Sequence, residues 1–173
     1  MKKFVAVILA ATLLAVSAAP VFASDTLVIS SNVSDDEPQL IGMANPFTDH
    51  EKLSEAEAES GVTLTLPETI VGYRIDDYRA ASSLSLIEVI YNKKVGGQEI
   101  RIRKAVGDED ISGDYNNYAE TTSKAINSNA VTMKGTNGKI YLATWTSGES
   151  TYSVSSEEGL SAAAMSNLVH DIK

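Results

Sequence analysis

Two strand-like segments joined by a short turn dominate the middle of this sequence. The first, residues 83–92 (SLSLIEVIYN), is apolar on both faces, and the second, residues 98–105 (QEIRIRKA), alternates isoleucines with charged residues. The linker KKVGG between them is typical of a β-hairpin. Because a strand that is apolar on both faces lies in the middle of a sheet, we expect 83–92 to be central. The Glu99, Arg101 and Arg103 face of the second strand is expected to be solvated.

Alternation predicts further strands before and after this hairpin. They are 62–66, 70–78, 120–126, 130–134, 139–146 and 151–155. Asn137 and Gly138 tolerate the positive φ angles of a type I′ turn, which predicts a second hairpin.

A helix is expected near each end of the folded region. A turn at 45–47 (NPF) precedes a short helix that ends at Gly61. Its start has two competing capping boxes, Thr48 with Glu51 and Ser54 with Glu57. The C-terminal segment has an apolar stripe from Leu160 to Ile172, with Ser161 or Ser156 as its cap. The fold class is therefore α+β: an antiparallel sheet of about six to eight strands built from hairpins, with a short N-terminal helix and a C-terminal helix packed on one face.

The first 23 residues have the pattern of a secretory signal peptide. Lys2 and Lys3 precede an uncharged apolar run, and Val21-Phe22-Ala23 fits a cleavage site after Ala23. The alternative is a retained membrane anchor, but the run is shorter than the ~20 residues of a spanning helix. We expect a secreted or extracytoplasmic protein, with a flexible leader at 24–44 and a single domain at 45–173. Leu27-Val28-Ile29 in the leader is a candidate for pairing with a sheet edge.

Composition excludes several classes of function. The net charge of −9 repels phosphate backbones and anionic headgroups, so we expect no nucleic-acid partner and no stable membrane insertion after signal cleavage. The chain has no cysteine, which excludes thiol catalysis and suits a bacterial exoprotein without disulfides. No G-x-S-x-G, H-E-x-x-H or P-loop motif occurs.

Several short stretches together resemble a known family. They are NPF at 45–47, LSEAEAESGV at 53–62, LPE at 66–68, IEVIY at 87–91, IRIRKA at 100–105, DISGDY at 110–115, LATW at 142–145 and SEEGLS at 156–161. They are similar to an uncharacterised bacterial extracytoplasmic family, domain of unknown function 4367, over roughly residues 45–172. The resemblance implies an exported protein of a Gram-positive bacterium, and it brings no activity, cofactor or catalytic residue.

The acidic loop that follows the central hairpin is a candidate calcium site. Its oxygen-bearing residues and its glycine fall at positions 1, 3, 5, 6, 7 and 9 of a calcium-loop pattern: Asp108, Asp110, Ser112, Gly113, Asp114 and Asn116. Position 12 is Ala119 instead of the bidentate Glu. The alternative is a surface loop whose Asp and Ser side chains cap their own backbone amides.

Aromatic and basic residues give two weaker candidate sites. Tyr141, Trp145 and Tyr152 either line a sugar- or lipid-binding face or form an inward cross-strand cluster. The basic region of the chain comprises Lys93, Lys94, Arg101, Arg103 and Lys104. It is either a solvated strand face or a site for an anionic ligand.

The sequence favours a secreted, non-enzymatic binding or protein-interaction domain. Its binding surface is predicted to be a face of the sheet or the loop at 107–118, and its partner an envelope or extracellular protein or a small apolar ligand. One alternative is an extracytoplasmic sensor or regulatory domain of an envelope signalling system. A second alternative is an enzyme with a carboxylate-based site.

Overall fold

The computed structural model describes residues 45–173, which form one antiparallel sheet of eight strands with two helices. The strands are β1 (Thr48–His50), β2 (Tyr73–Ala81), β3 (Leu86–Lys93), β4 (Glu99–Val106), β5 (Glu120–Ile126), β6 (Asn129–Thr136), β7 (Lys139–Ser147) and β8 (Ser150–Ser161). Helix α1 spans Leu53–Ser60, helix α2 spans Ala162–Asp171, and Ser82–Leu84 forms a single 3₁₀ turn. The predicted α+β class is confirmed.

The sheet consists of two four-stranded meanders joined side by side. Strands β1 to β4 form one meander and β5 to β8 the other, and the pairing of β4 with β8 joins them in the order β1-β2-β3-β4-β8-β7-β6-β5. The predicted hairpin of β3 and β4 is confirmed, as is the one at Asn137 and Gly138, whose φ angles are 54° and 73°. The connection from β4 to β5 is long because β5 lies at the far edge of the sheet.

One face of the sheet packs against the helices. Ile87, Val89 and Ile102 at the centre of the sheet are fully buried, and Met165 and Val169 of α2 pack into the same cluster. Ser161 caps α2 as predicted, because its Oγ accepts a hydrogen bond from the Ala164 N–H at 3.1 Å. We call this the helix face and the opposite side the loop face.

The N-terminal elements differ from the prediction. Residues 48–50 pair with β2 as a strand, and α1 begins after Lys52, which makes no side-chain cap bond, so both capping boxes were wrong. A cross-strand contact explains this, since the Asp49 carboxylate accepts from Arg79 Nε at 2.7 Å. Gly61 ends α1 in the left-handed conformation, as predicted.

Further strands predicted from alternation differ from the structure in their pairing or in their bounds. Residues 62–66 alternate in burial as expected, but they pair with Lys173 through Thr65 instead of joining the sheet. The strand predicted at 70–78 begins three residues later, at Tyr73, and the first residues of the 83–92 segment form the 3₁₀ turn.

The signal peptide predicted at 1–23, the leader at 24–44 and its Leu27-Val28-Ile29 patch lie outside the described residues. Within residues 45–173, neither helix is long and apolar enough to cross a membrane.

A glycine at the bulge between β6 and β7 yields the first testable prediction. A Cβ added to Gly135 would lie 2.0 Å from the Lys139 carbonyl oxygen, which is backbone and cannot rotate away. We expect Gly135→Ala to lower the free energy of unfolding by about 3 kcal/mol, measured by urea denaturation. Gly138→Ala in the same hairpin is the control; it meets no atom within 4 Å and should lose only about 1 kcal/mol through its positive φ. Equal losses in the two variants would contradict the bulge argument.

Candidate functional site

A row of polar side chains crosses the loop face through all eight strands. The strand registers place its members opposite one another in this order: Asp49, Arg79, Glu88, Arg103, Ser153, Thr144, Thr132 and Ser123. The first four alternate in charge and contact each other in turn, at 2.7 Å, 3.4 Å and 2.6 Å. The last four all carry hydroxyl groups. Opposite charges on directly paired residues stabilise adjacent strands.

Glu88 is the buried centre of this row. Its side chain is only 1% exposed and contacts three guanidinium groups, those of Arg79, Arg101 and Arg103. A carboxylate taken out of water needs such partners, because its desolvation costs several kcal/mol. The expectation that the Glu99, Arg101 and Arg103 face is solvated was therefore wrong for Arg103, which is 13% exposed, and only partly correct for Arg101.

Arg103 also holds the acidic loop, residues 107–119, against the sheet. Its Nη1 donates to the carbonyl oxygens of Ile111 and Ser112 at 2.8 Å and 2.9 Å. The loop approaches so closely that a Cβ on Gly113 would lie 2.7 Å from the same nitrogen. The Phe47 ring covers the guanidinium at 5.6 Å. One arginine thus joins the sheet, the loop and the segment before β1.

Side chains within the loop fix its own backbone. Asp110 Oδ1 accepts from the Ser112 N–H at 2.8 Å, Ser112 Oγ from the Asp114 N–H at 3.2 Å, and Asp114 Oδ1 from the Asn116 N–H at 2.8 Å. Donation from the Ser112 backbone N–H, followed by its hydroxyl, holds the pKa of Asp110 below its ordinary value. These are the local turns that the sequence offered as the alternative to a calcium site.

Calcium binding by this loop stays a prediction. Within residues 45–173, no group of three or more His, Asp or Glu side chains converges in the arrangement that a metal ion requires. Asp110 Oδ1 and Asp114 Oδ1 each already accept a backbone N–H of the loop.

An apolar crevice opens where the loop meets the 3₁₀ turn. It has a volume of about 470 Å³, and its floor is formed by Leu86 and Ala105, which belong to a small core cluster separate from the main one. Phe47 and Ile111 form its walls. Its rim carries three large apolar side chains that are exposed to solvent: Leu84, Val106 and Tyr115. We call this space the apolar crevice.

The three aromatic residues predicted as one site lie in two separate clusters. Trp145 and Tyr152 stack with ring centroids 5.0 Å apart and are both nearly buried. Tyr141 instead stacks on Tyr118 at 5.9 Å and lines a polar crevice of about 450 Å³ beside the loop, together with Arg101. The three aromatics therefore do not form one binding surface.

The basic residues are also dispersed. Lys104 points to the helix face, where its Nζ donates to the Thr63 carbonyl oxygen and lies over the Tyr152 ring. Lys93 pairs with Glu158. His170 lies in the last turn of α2, beside Asp171.

Sequence reasoning missed both Glu88 and the apolar crevice. Glu88 is the single acidic residue inside the apolar segment IEVIY, and a charge in such a position is a signal of a buried ion pair. The crevice had no comparable signal, because its lining comes from four separate segments.

These features define an α+β protein with an antiparallel sheet whose loop face carries an open crevice. Comparisons with protein-family models, with curated proteins and with solved structures found no match. The resemblance to domain of unknown function 4367 accordingly stays a prediction.

The charged row yields a second prediction. Glu88→Gln leaves three arginines around a neutral group, and we expect the free energy of unfolding to fall by about 3–5 kcal/mol in urea denaturation. Asp49→Asn is the matched control: it removes a carboxylate from the same row, but one that is 63% exposed, and should cost less than about 1 kcal/mol. Similar losses in the two variants would show that burial of Glu88 does not govern the row.

The far end of the loop yields a third prediction. Burial, and then the hydrogen bond to Asp114, raise the pKa of Tyr118 from 10.0 to about 12. The folded state therefore holds this proton more tightly than the unfolded state, so the contribution of Tyr118 to stability is complete below pH 10 and is lost between pH 10 and about 12. We expect Tyr118→Phe to reduce the fall in unfolding free energy over that interval.

Tyr115→Phe is the control for this measurement, because the Tyr115 side chain is 95% exposed. Burial also raises the pKa of Tyr73 and of Tyr91 to about 12, so part of the alkaline loss persists in every variant. A Tyr118→Phe curve parallel to that of the unmodified protein would refute the assignment.

Proposed function

We propose that the mature chain is a secreted, non-enzymatic protein-interaction domain. The apolar crevice is its binding site, and it receives a large apolar side chain of an extracellular or envelope protein.

The observation that supports this proposal is the clustering of exposed apolar side chains. Among residues 45–173, six large hydrophobic side chains are exposed, and three of them surround this crevice: Leu84 at 54%, Val106 at 58% and Tyr115 at 95%. Single exposed hydrophobics are common on protein surfaces, but a group around a concave apolar floor is typical of an interaction site.

The loop beside the crevice has the properties of a recognition loop. Residues 107–119 contain no helix or strand, and loops of this length inside a compact domain are usually functional. The stretch SGDYNNY at 112–118 is rich in Tyr, Ser, Gly and Asn, the residues that binding loops favour. Because Arg103 fixes Ile111 and Ser112, little ordering entropy remains to be lost on binding.

The charge around the crevice specifies the partner further. Three carboxylates, those of Glu109, Asp110 and Asp114, line the same crevice with one guanidinium, that of Arg103, which is already paired with Glu88. The chain carries a net charge of −9. A partner segment that places Lys or Arg next to its apolar side chain would therefore be favoured in both encounter and docking.

Site-specific crosslinking in the producing cells tests this function. A photo-crosslinking amino acid is placed at Leu84, Val106 or Tyr115, and at Val71 or Val95 as matched controls. The controls are exposed apolar residues outside the crevice, at 94% and 83%. We expect one discrete extracytoplasmic protein to be captured from the three crevice positions and not from the controls.

Substitution supplies the quantitative part of this prediction. Leu84→Ser combined with Val106→Ser should lower the yield of that crosslink from position 115 at least about tenfold, since each buried apolar side chain contributes ~1.5–3 kcal/mol. Val71→Ser with Val95→Ser should leave the yield unchanged. Equal capture from crevice and control positions, or capture of none, would overturn the proposal.

The identity of the captured species separates the alternatives. A membrane-bound signalling protein would assign the chain to the sensor or regulatory class. A small apolar ligand in place of a protein would give no protein crosslink and would require a different function for the crevice.

A further inference from the structure

The outer edge of β5 is the longest free strand edge in the described part of the chain. Within residues 45–173, β5 pairs with β6 alone, and six of its seven residues are exposed. The opposite edge of the sheet, β1, has only three residues. An exposed edge of this length presents unpaired N–H and C=O groups, which are a template for another strand.

Both faces of β5 are largely exposed. On the helix face, Thr122 and Lys124 are exposed, although Lys124 Nζ donates to Ser166 Oγ of α2 at 3.1 Å and Ile126 at the end of the strand is buried. The residues that point to the loop face, Thr121 and Ser123, are exposed as well. A second strand could therefore approach without displacing any described element.

The sequence of β5, ETTSKAI, is complementary to itself in one antiparallel register. With Thr122 on the twofold axis, Glu120 lies opposite Lys124 of the second copy, and Thr121 lies opposite Ser123 of that copy. Opposite charges and paired hydroxyl residues are favourable cross-strand combinations. In the register centred on Ser123, by contrast, Lys124 would face threonine and Glu120 would face isoleucine.

We propose that two copies of this chain associate through antiparallel pairing of their β5 edges, centred on Thr122, to form one continuous sheet. The interface is small and polar, so the dimer forms in the micromolar range and depends on ionic strength. This inference is independent of the proposed function, because β5 takes no part in the apolar crevice.

A single cysteine tests the register, since the chain has none of its own. In the proposed dimer the two Thr122 residues face each other with Cα atoms about 4.5–5.5 Å apart, which is within the range of a disulfide. Thr122→Cys in the processed, exported protein should form a disulfide-linked dimer under mild oxidation. Ala125→Cys, on the same exposed strand but distant from its symmetry mate, should remain mainly monomeric. Equal crosslinking of the two variants, or none, would overturn the register.

Charge exchange tests the association itself, by analytical ultracentrifugation over a range of concentrations. Glu120→Lys places two positive charges along the edge and Lys124→Glu places two negative ones, so each variant alone should dissociate at least about tenfold more readily. The two single variants mixed together should form a heterodimer. The double variant Glu120→Lys with Lys124→Glu should regain the homodimer, which shows that the losses were not caused by misfolding.

Lys94→Glu is the control for Lys124→Glu, because it changes the net charge by the same amount at an exposed turn far from β5. It should not alter the dimer. A monomer at every concentration would overturn the proposal, and this is also the outcome expected if the 24–44 segment occupies the edge instead.

Discussion

The structure of the loop face depends on the burial of one carboxylate, that of Glu88. Its desolvation is offset only because three guanidinium groups surround it, and these groups come from β2 and β4 on either side. Arg103, which donates its Nε–H to Glu88, uses its Nη1 to bind the carbonyl oxygens of Ile111 and Ser112. The conformation of the loop is therefore coupled to the charge at the centre of the sheet.

The two faces of the sheet differ because their coverings differ in size. Eight strands at about 4.8 Å spacing make the sheet roughly 34 Å wide, whereas α2 with ten residues is about 15 Å long. Helices α1 and α2 with residues 62–66 fill the helix face over the central strands and leave most of β5 exposed. On the loop face, among residues 45–173, the segments 45–47 and 107–119 cover the sheet, and they cover it incompletely. The apolar crevice is the space between the 107–119 segment and the 3₁₀ turn.

Local patterns in the sequence correctly predicted those structural features that depend on residues close together in the chain. The alternation of 139–146, the Asn137-Gly138 turn and the Ser161 cap are all decided within a few positions, and the structure agrees with each. The helix start predicted at Thr48 was wrong, because the pairing of Asp49 with Arg79, 30 positions away, outweighs a local capping box. The prediction that Arg103 is solvated was wrong for a similar reason. Alternation indicates which side of the sheet a residue faces, but it does not indicate whether a distant loop covers that side. The crevice could not be predicted, because four distant segments form it.

The two proposals have a joint consequence for binding. A twofold axis through Thr122 perpendicular to the sheet would turn both loop faces, and hence both apolar crevices, toward the same side. Strand β4 lies four strand positions from β5, so nine spacings would separate the two β4 strands, or about 43 Å. A partner protein of the cell envelope that repeats its binding segment could then occupy both crevices at once. Avidity would raise the overall affinity well above that of one shallow site. A crevice of modest volume could then be sufficient for stable binding of the partner.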